Sequence, residues 1–212
     1  MNNRLRWRVP GAALIALVLD LLLGPIQSQI WNGTDAPAWI GSLIWPDIAR
    51  PWVQNILAPV PGPEPYETFG RLTILIYLGN LTAWSPFFAE GENRLLRIAA
   101  PFAWAALAIA ALADIGSYWV AGLHNEALRF HTFWQVEVPA LALCLLALML
   151  AGIARIRTRT GWHLSDILLA ATPLTAILAT GALQYMPHGP LVAISIGAFI
   201  LSKTPQVTHP SI

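Results

Sequence analysis

Clusters of arginine alternate with long apolar runs along this chain, and that alternation limits the fold more than any motif does. Arg4, Arg6 and Arg8 precede the first run, Arg94 and Arg97 lie between the second and third, and Arg155, Arg157 and Arg159 lie between the fourth and fifth. Only Arg50, Arg71 and Arg129 fall in or beside the intervening segments. Basic residues in short loops set orientation in a bilayer, the richer side being cytoplasmic. Counting Lys203, nine basic residues fall on one side and three on the other. The sequence therefore predicts cytoplasmic N and C termini, in the cell inner membrane if the chain is bacterial.

A chain with only 11% charged residues and 56% hydrophobic ones lies far from soluble domains, where charged residues make up about 25%. Crossing about 30 Å of hydrocarbon takes roughly 20 apolar residues. The runs predict six spans, at about 10–30, 70–89, 98–121, 133–154, 164–183 and 190–202. They fill residues 1–212 as one all-α integral membrane domain, a six-transmembrane-helix bundle. The basic start followed by Ala12–Leu23 has the order of a signal peptide. The run continues through Gly24, Pro25 and Ile26 without the usual cleavage site and contains Asp20, so it reads as a retained first span. A net charge of +1 argues against a nucleic-acid partner, which needs a basic surface. The single Cys144 excludes an intramolecular disulfide and a cysteine-rich metal site.

Residues 31–69 form the one long loop, placed outside by the charge rule. It carries Trp31, Trp39, Trp45 and Trp52 and prolines at 37, 46, 51, 59, 61, 63 and 65. Ile44, Ile48, Trp52 and Ile56 recur every four residues, which is one face of a helix. Pro46 suits a first helical turn, and Pro51 would kink the helix beyond it. Tryptophan favours the membrane interface, so the segment predicts a broken amphipathic helix on the outer surface or a lid over a pocket. Residues 59–65 read as a stiff connector. The sixth run is interrupted by Pro187, His188, Gly189 and Pro190. It predicts either a kinked span or one with an unwound outer end, tolerated only under protein or water.

Span direction assigns each polar residue a depth. Asp114 and Tyr118 fall in the outer half of the third span, four apart on one face. Glu137 falls about one turn inside the fourth, near Phe130, Phe133, Trp134 and Pro139. The loop between them holds His124, Glu126, Arg129 and His131, and Arg71 begins the second span on the same side. Asp20 is the deepest acid. A central carboxylate costs roughly 2.5–3.5 kcal/mol on insertion scales, so Asp20 and Asp114 each need a partner or a proton. Either they tie helices together, Arg71 being one available partner, or they serve a site. An acid among aromatic rings suits a cation or protonated amine, or acid–base work.

His124 and His131, with Glu137 or Asp114 behind them, have metal-ligand chemistry but no recognised metal spacing, so no metal is expected. No cofactor motif is present: nothing resembles a Walker loop, a GxSxG elbow or an HExxH helix. Asn32-Gly33-Thr34 fits the glycosylation pattern. The expected site is thus an outer-leaflet polar pocket of Asp114, Tyr118, Glu137, Trp134, Arg71, His124 and His131, with Asp20 below. Besides the lipid bilayer, the expected partner is a small hydrophobic or amphipathic molecule, bound or moved. The other readings are an acid–base membrane enzyme, isomerase or cyclase, acting on a lipid-like substrate, and an accessory subunit packed on a membrane-protein partner.

Overall fold

The computed structural model describes residues 3–57, 65–84, 94–122, 124–158 and 163–203. Among them every regular element is helical. The long α1 (Asn3–Asn32) is followed by short α2 (Ala38–Gly41), α3 (Trp45–Leu57) and α4 (Pro65–Trp84). Next come α5 (Arg94–Ile115), α6 (Glu126–Phe130), α7 (Val138–Thr158), α8 (Leu164–Ala170), α9 (Thr172–Leu183) and α10 (His188–Lys203). Two π-helical turns, Gly116–Ala121 and His131–Glu137, extend α5 and lead into α7. The main seams join α1 to α4 and α10, α5 to α7, α9 to α10 and α7 to α8.

Small residues make these seams close. On α5 the buried stripe is Ala99, Ala103, Ala106, Leu107 and Ala110, while Phe102, Ile109 and Leu112 face outward. On α7, Ala140, Leu141, Cys144, Leu148 and Ala151 are buried, and Leu143, Leu146 and Leu150 are exposed. Lipid is as apolar as leucine, so association rests on tight packing and interhelical hydrogen bonds. Gly79 lies against Ala16, where an added Cβ would come within 2.9 Å of the alanine Cβ. Gly152 lies against the Ala170 backbone, and Gly189 against that of Thr180.

The span count is lower than the sequence predicts. Among the described residues three helices are long and apolar enough to cross a membrane: Pro10–Asp35, Arg97–Ala121 and Glu126–Thr158. The pair α8 and α9, bent by 65° at their junction, makes a fourth if it is one span. The predicted second span falls short because α4 buries Glu67, Thr68, Arg71, Thr73 and Asn80. The predicted sixth falls short in length, the apolar part of α10 being His188–Ile200. Between α9 and α10 the chain unwinds. Gln184 is left-handed at φ 50°, and buried Tyr185 and Pro187 lead to His188.

The tryptophan-rich segment runs along the bundle flank. Trp39 Nε1 donates to the Ala182 carbonyl (2.9 Å), Trp45 Nε1 to the Leu22 carbonyl (3.2 Å), and Arg50 to Gln29 Oε1 (3.0 Å). Leu22 lies about 15 Å along α1 from its end at Asn32 by helical rise. The α2–α3 turn therefore dips beside α1, and α3 climbs back along it. Pro46 stands in the first turn of α3, as expected, and Ile44, Ile48 and Trp52 share an exposed face. The side chain of Ile56, and the connector from 59 to 64, lie outside the described residues.

Candidate functional site

A ladder of aromatic rings marks one end of the bundle. Trp31 of α1 stacks near Tyr66 of α4, with ring centres 5.3 Å apart, and near Tyr185 at 6.5 Å. The Tyr118 hydroxyl lies 3.4 Å from that of Tyr66 and 2.9 Å from that of Tyr185. A side chain at Gly70 would collide with the Tyr118 ring, so glycine there lets Tyr118 lie flat on α4. Arg71 donates to the Tyr118 carbonyl (3.0 Å), pairs with Glu67 (3.7 Å) and lies over the Trp119 ring. Arg129 lies over the Tyr66 ring.

Beneath the ladder is a layer of buried acids. Tyr77 and Asp20 lie 11 residues from Tyr66 and Trp31 respectively, which places both about 16 Å below the ladder by helical rise. Tyr77 donates to Glu137 Oε1 (2.8 Å). Among the described residues, the other Glu137 oxygen and both oxygens of Asp114 have no hydrogen-bond partner, although both side chains are fully buried. Asp114 and Glu137 lie within electrostatic reach of each other, and Tyr77 within reach of Glu137, Asp114 and Asp20. Four elements thus converge: α4, α5, the π-helical turn before α7 and, through Asp20, α1.

Asp20 has a second partner set. His188 opens α10 and places Nδ1 on Asp20 Oδ1 and Nε2 on Gln27 Oε1 (2.6 Å). Gly24 lies opposite the His188 ring, so glycine lets the histidine enter. The imidazole thus ties Asp20 and Gln27 of α1 to the start of α10. Farther along α4, Asn80 and Ser195 exchange hydrogen bonds at 2.9 and 3.1 Å and fix α10 to α4.

The expected residues divide. Asp114, Tyr118, Glu137 and Asp20 join the buried network, and Arg71 is buried beside it. Arg71 does not partner Asp114 or Asp20. Its guanidinium is taken by Glu67 and the Tyr118 carbonyl. Trp134, His124 and His131 are exposed and stand outside the buried network. The helix that carries Glu137 begins at Glu126, 11 residues earlier, and not about one turn before it. Asp166, in the first turn of α8, is fully buried and accepts from Arg155 Nε at 2.8 Å. Tyr77 and His188 are not among the expected residues. A histidine between two prolines inside an apolar run is the available signal for His188; Tyr77 carries none.

Compared with protein-family models, with curated proteins and with solved structures, the chain matches none.

Proposed function

We propose that this chain is a multi-pass membrane protein that binds or moves a small amphipathic molecule, with Asp114, Glu137 and Tyr77 at its site. The observation that carries the reading is the pair Asp114 and Glu137. Three of its four carboxyl oxygens lack a protein partner in a fully buried setting. A structural tie would use those oxygens. Acids in membrane interiors mark substrate paths and proton relays. The bend between α8 and α9 and the start of α10 inside the bundle favour movement, since broken helices accompany midplane sites in transporters. In this reading α4 and α10 also cross the bilayer, their polar residues sheltered by neighbours, which restores six crossings. The arginine asymmetry places both termini in the cytoplasm and the tyrosine ladder outside.

A second reading is an acid–base membrane enzyme acting on a lipid-like substrate. The unlike settings of the two acids favour it: Glu137 accepts from Tyr77 and Asp114 from nothing. Such inequality suits one acid and one base.

The test uses purified protein in detergent with the variants Asp114→Asn and Glu137→Gln. A panel of small amphipathic compounds is screened by thermal shift. Compounds that stabilise the native protein and not Asp114→Asn, with the unliganded variant unfolding within a few degrees of the native protein, support the reading. If no compound separates the two and Asp114→Asn chiefly lowers the melting temperature, Asp114 is structural.

A further inference from the structure

Charge balance at the buried acids identifies the class of ligand, and the inference rests on the binding function proposed for this site. Of the basic side chains described near that end, His124 and His131 are exposed and outside the buried layer, and the others are engaged elsewhere. Arg71 is held by Glu67 and the Tyr118 carbonyl, Arg129 lies over Tyr66, Arg50 donates to Gln29, and His188 is enclosed by Asp20 and Gln27. Two carboxylates within reach of each other in low dielectric cannot both stay charged without compensation. Protons or a cation from outside the protein must supply it.

A separate observation shows what the site offers. Thr73 is fully buried and its hydroxyl has no partner. It lies on α4 between Gly70, which Tyr118 covers, and Tyr77, which holds Glu137. At 100° per residue, Gly70, Thr73 and Tyr77 fall within about 60° of one another on the helix. Thr73 therefore lies on the face of α4 that meets Tyr118 and Glu137. Among the described residues, the acceptors left over on Asp114, Glu137 and Thr73 are three carboxyl oxygens and one hydroxyl, with Asp20 Oδ2 a fourth carboxyl oxygen on α1. The neighbouring buried surface of α5 and α7 is Leu107, Ala110, Ala111, Ala140 and Leu141. Such a setting fits an ammonium group, with several N–H donors, on a small apolar body.

We propose that the ligand is an amphipathic monocation of the protonated-amine class, taken up by Asp114 and Glu137 in exchange for one proton. The charge balances. The carboxyl pair gives one proton to water as one ammonium cation enters, so the net charge buried at the site does not change. Constant buried charge avoids the several kcal/mol that a new uncompensated ion costs. The other titratable groups facing the pair are Tyr77 on α4, Tyr118 at the end of α5 and Tyr185 before α10, with Asp20 of α1 reaching it through Tyr77. Phenols stay protonated across neutral pH and Asp20 is held by His188, so the exchanged proton is assigned to the carboxyl pair.

The experiment titrates the native protein in detergent with phenylbutylamine, phenylbutanol and phenylbutyrate, which share one apolar body. Binding is followed by calorimetry, and proton release by a pH dye in weak buffer. The amine should bind best and release about one proton per molecule bound. Its affinity should rise about tenfold for each pH unit over the range where the pair holds that proton. Asp114→Asn should remove the release and weaken amine binding at least tenfold, while Glu126→Gln on the exposed α6 changes neither. Equal binding of the alcohol, or amine binding without proton release, overturns the exchange and leaves the binding reading standing. Absence of binding by all three overturns both.

Discussion

Gly152 makes the seam between α7 and α8 a sharp test of close packing. A Cβ at this position would lie 2.7 Å from Ala170 Cα and 2.8 Å from the Leu169 carbonyl carbon, and closer still to Ala170 N, where ordinary contact begins at 3.4 Å. The shortfall is about 0.6–0.7 Å against two of these atoms. All three are backbone atoms, so no side chain can rotate away, and α8 must retreat. A radial gap of about 0.5–1 Å forfeits a quarter to a half of each dispersion contact it opens. Overpacking of this kind costs about 1–3 kcal/mol. Removing a glycine from a helix interior returns about 0.5–1 kcal/mol. Gly152→Ala should therefore destabilise by about 0.5–2 kcal/mol, the difference of those two effects. Gly181 on α9 is the control, because nothing lies within 4 Å of its Cβ position. Gly181→Ala should be neutral or stabilise by up to about 1 kcal/mol. Reversible unfolding in mixed micelles reads both. Stability of Gly152→Ala at or above the native level, or shifts of the same sign in the two variants, would refute the close-packed seam.

Three further outcomes are expected in other parts of the molecule. Arg155→Met should lower stability by about 2–3 kcal/mol, under the 3–5 kcal/mol of a fully buried pair, because Arg155 is 16% exposed. Adding Asp166→Asn should recover part of the loss in the same unfolding assay. A nitroxide on Ile48→Cys in lipid should be more accessible to oxygen than to a water-soluble nickel chelate, because Ile48 is exposed on the apolar face of α3. The reverse order would place that face in water. Cysteines introduced at Glu126 and Trp39 should label from the outside, and one at Arg157 from the cytoplasm. Labelling of the first two from the cytoplasm would invert the proposed topology.

The helical class and the amphipathic α3 were legible because both rest on local periodicity. Ile44, Ile48 and Trp52 share a face in the structure as their spacing requires. Depth was read less well. Placing Glu137 one turn inside depended on where its helix starts, and helix starts are weakly marked when π-helical turns carry the chain through a boundary. Facing was not readable at all. Asp114 and Glu137 lie 23 residues apart, and only the packing of α5 on α7 and α4 brings them together. The second and sixth runs were counted as spans by run length, whereas among the described residues α4 and α10 lack the apolar content or the length that marks a span on its own. The polar face of α4 and the late start of α10 appear only once neighbours are known.

The two π-helical turns also bear on how the chain can change in length. Each winds in extra backbone relative to an α-helix, and the two touch where Ser117 Oγ and Thr132 Oγ1 meet at 2.8 Å. Such a turn absorbs an extra residue while the helix on either side keeps its facing. Deleting one residue between Thr132 and Glu137 would restore α geometry there and leave α6 and α7 near their present register, while shifting Thr132 against Ser117 and Gly116, which it now meets. The contact between the two turns, and not the course of the flanking helices, is what a one-residue change in this hairpin puts at stake.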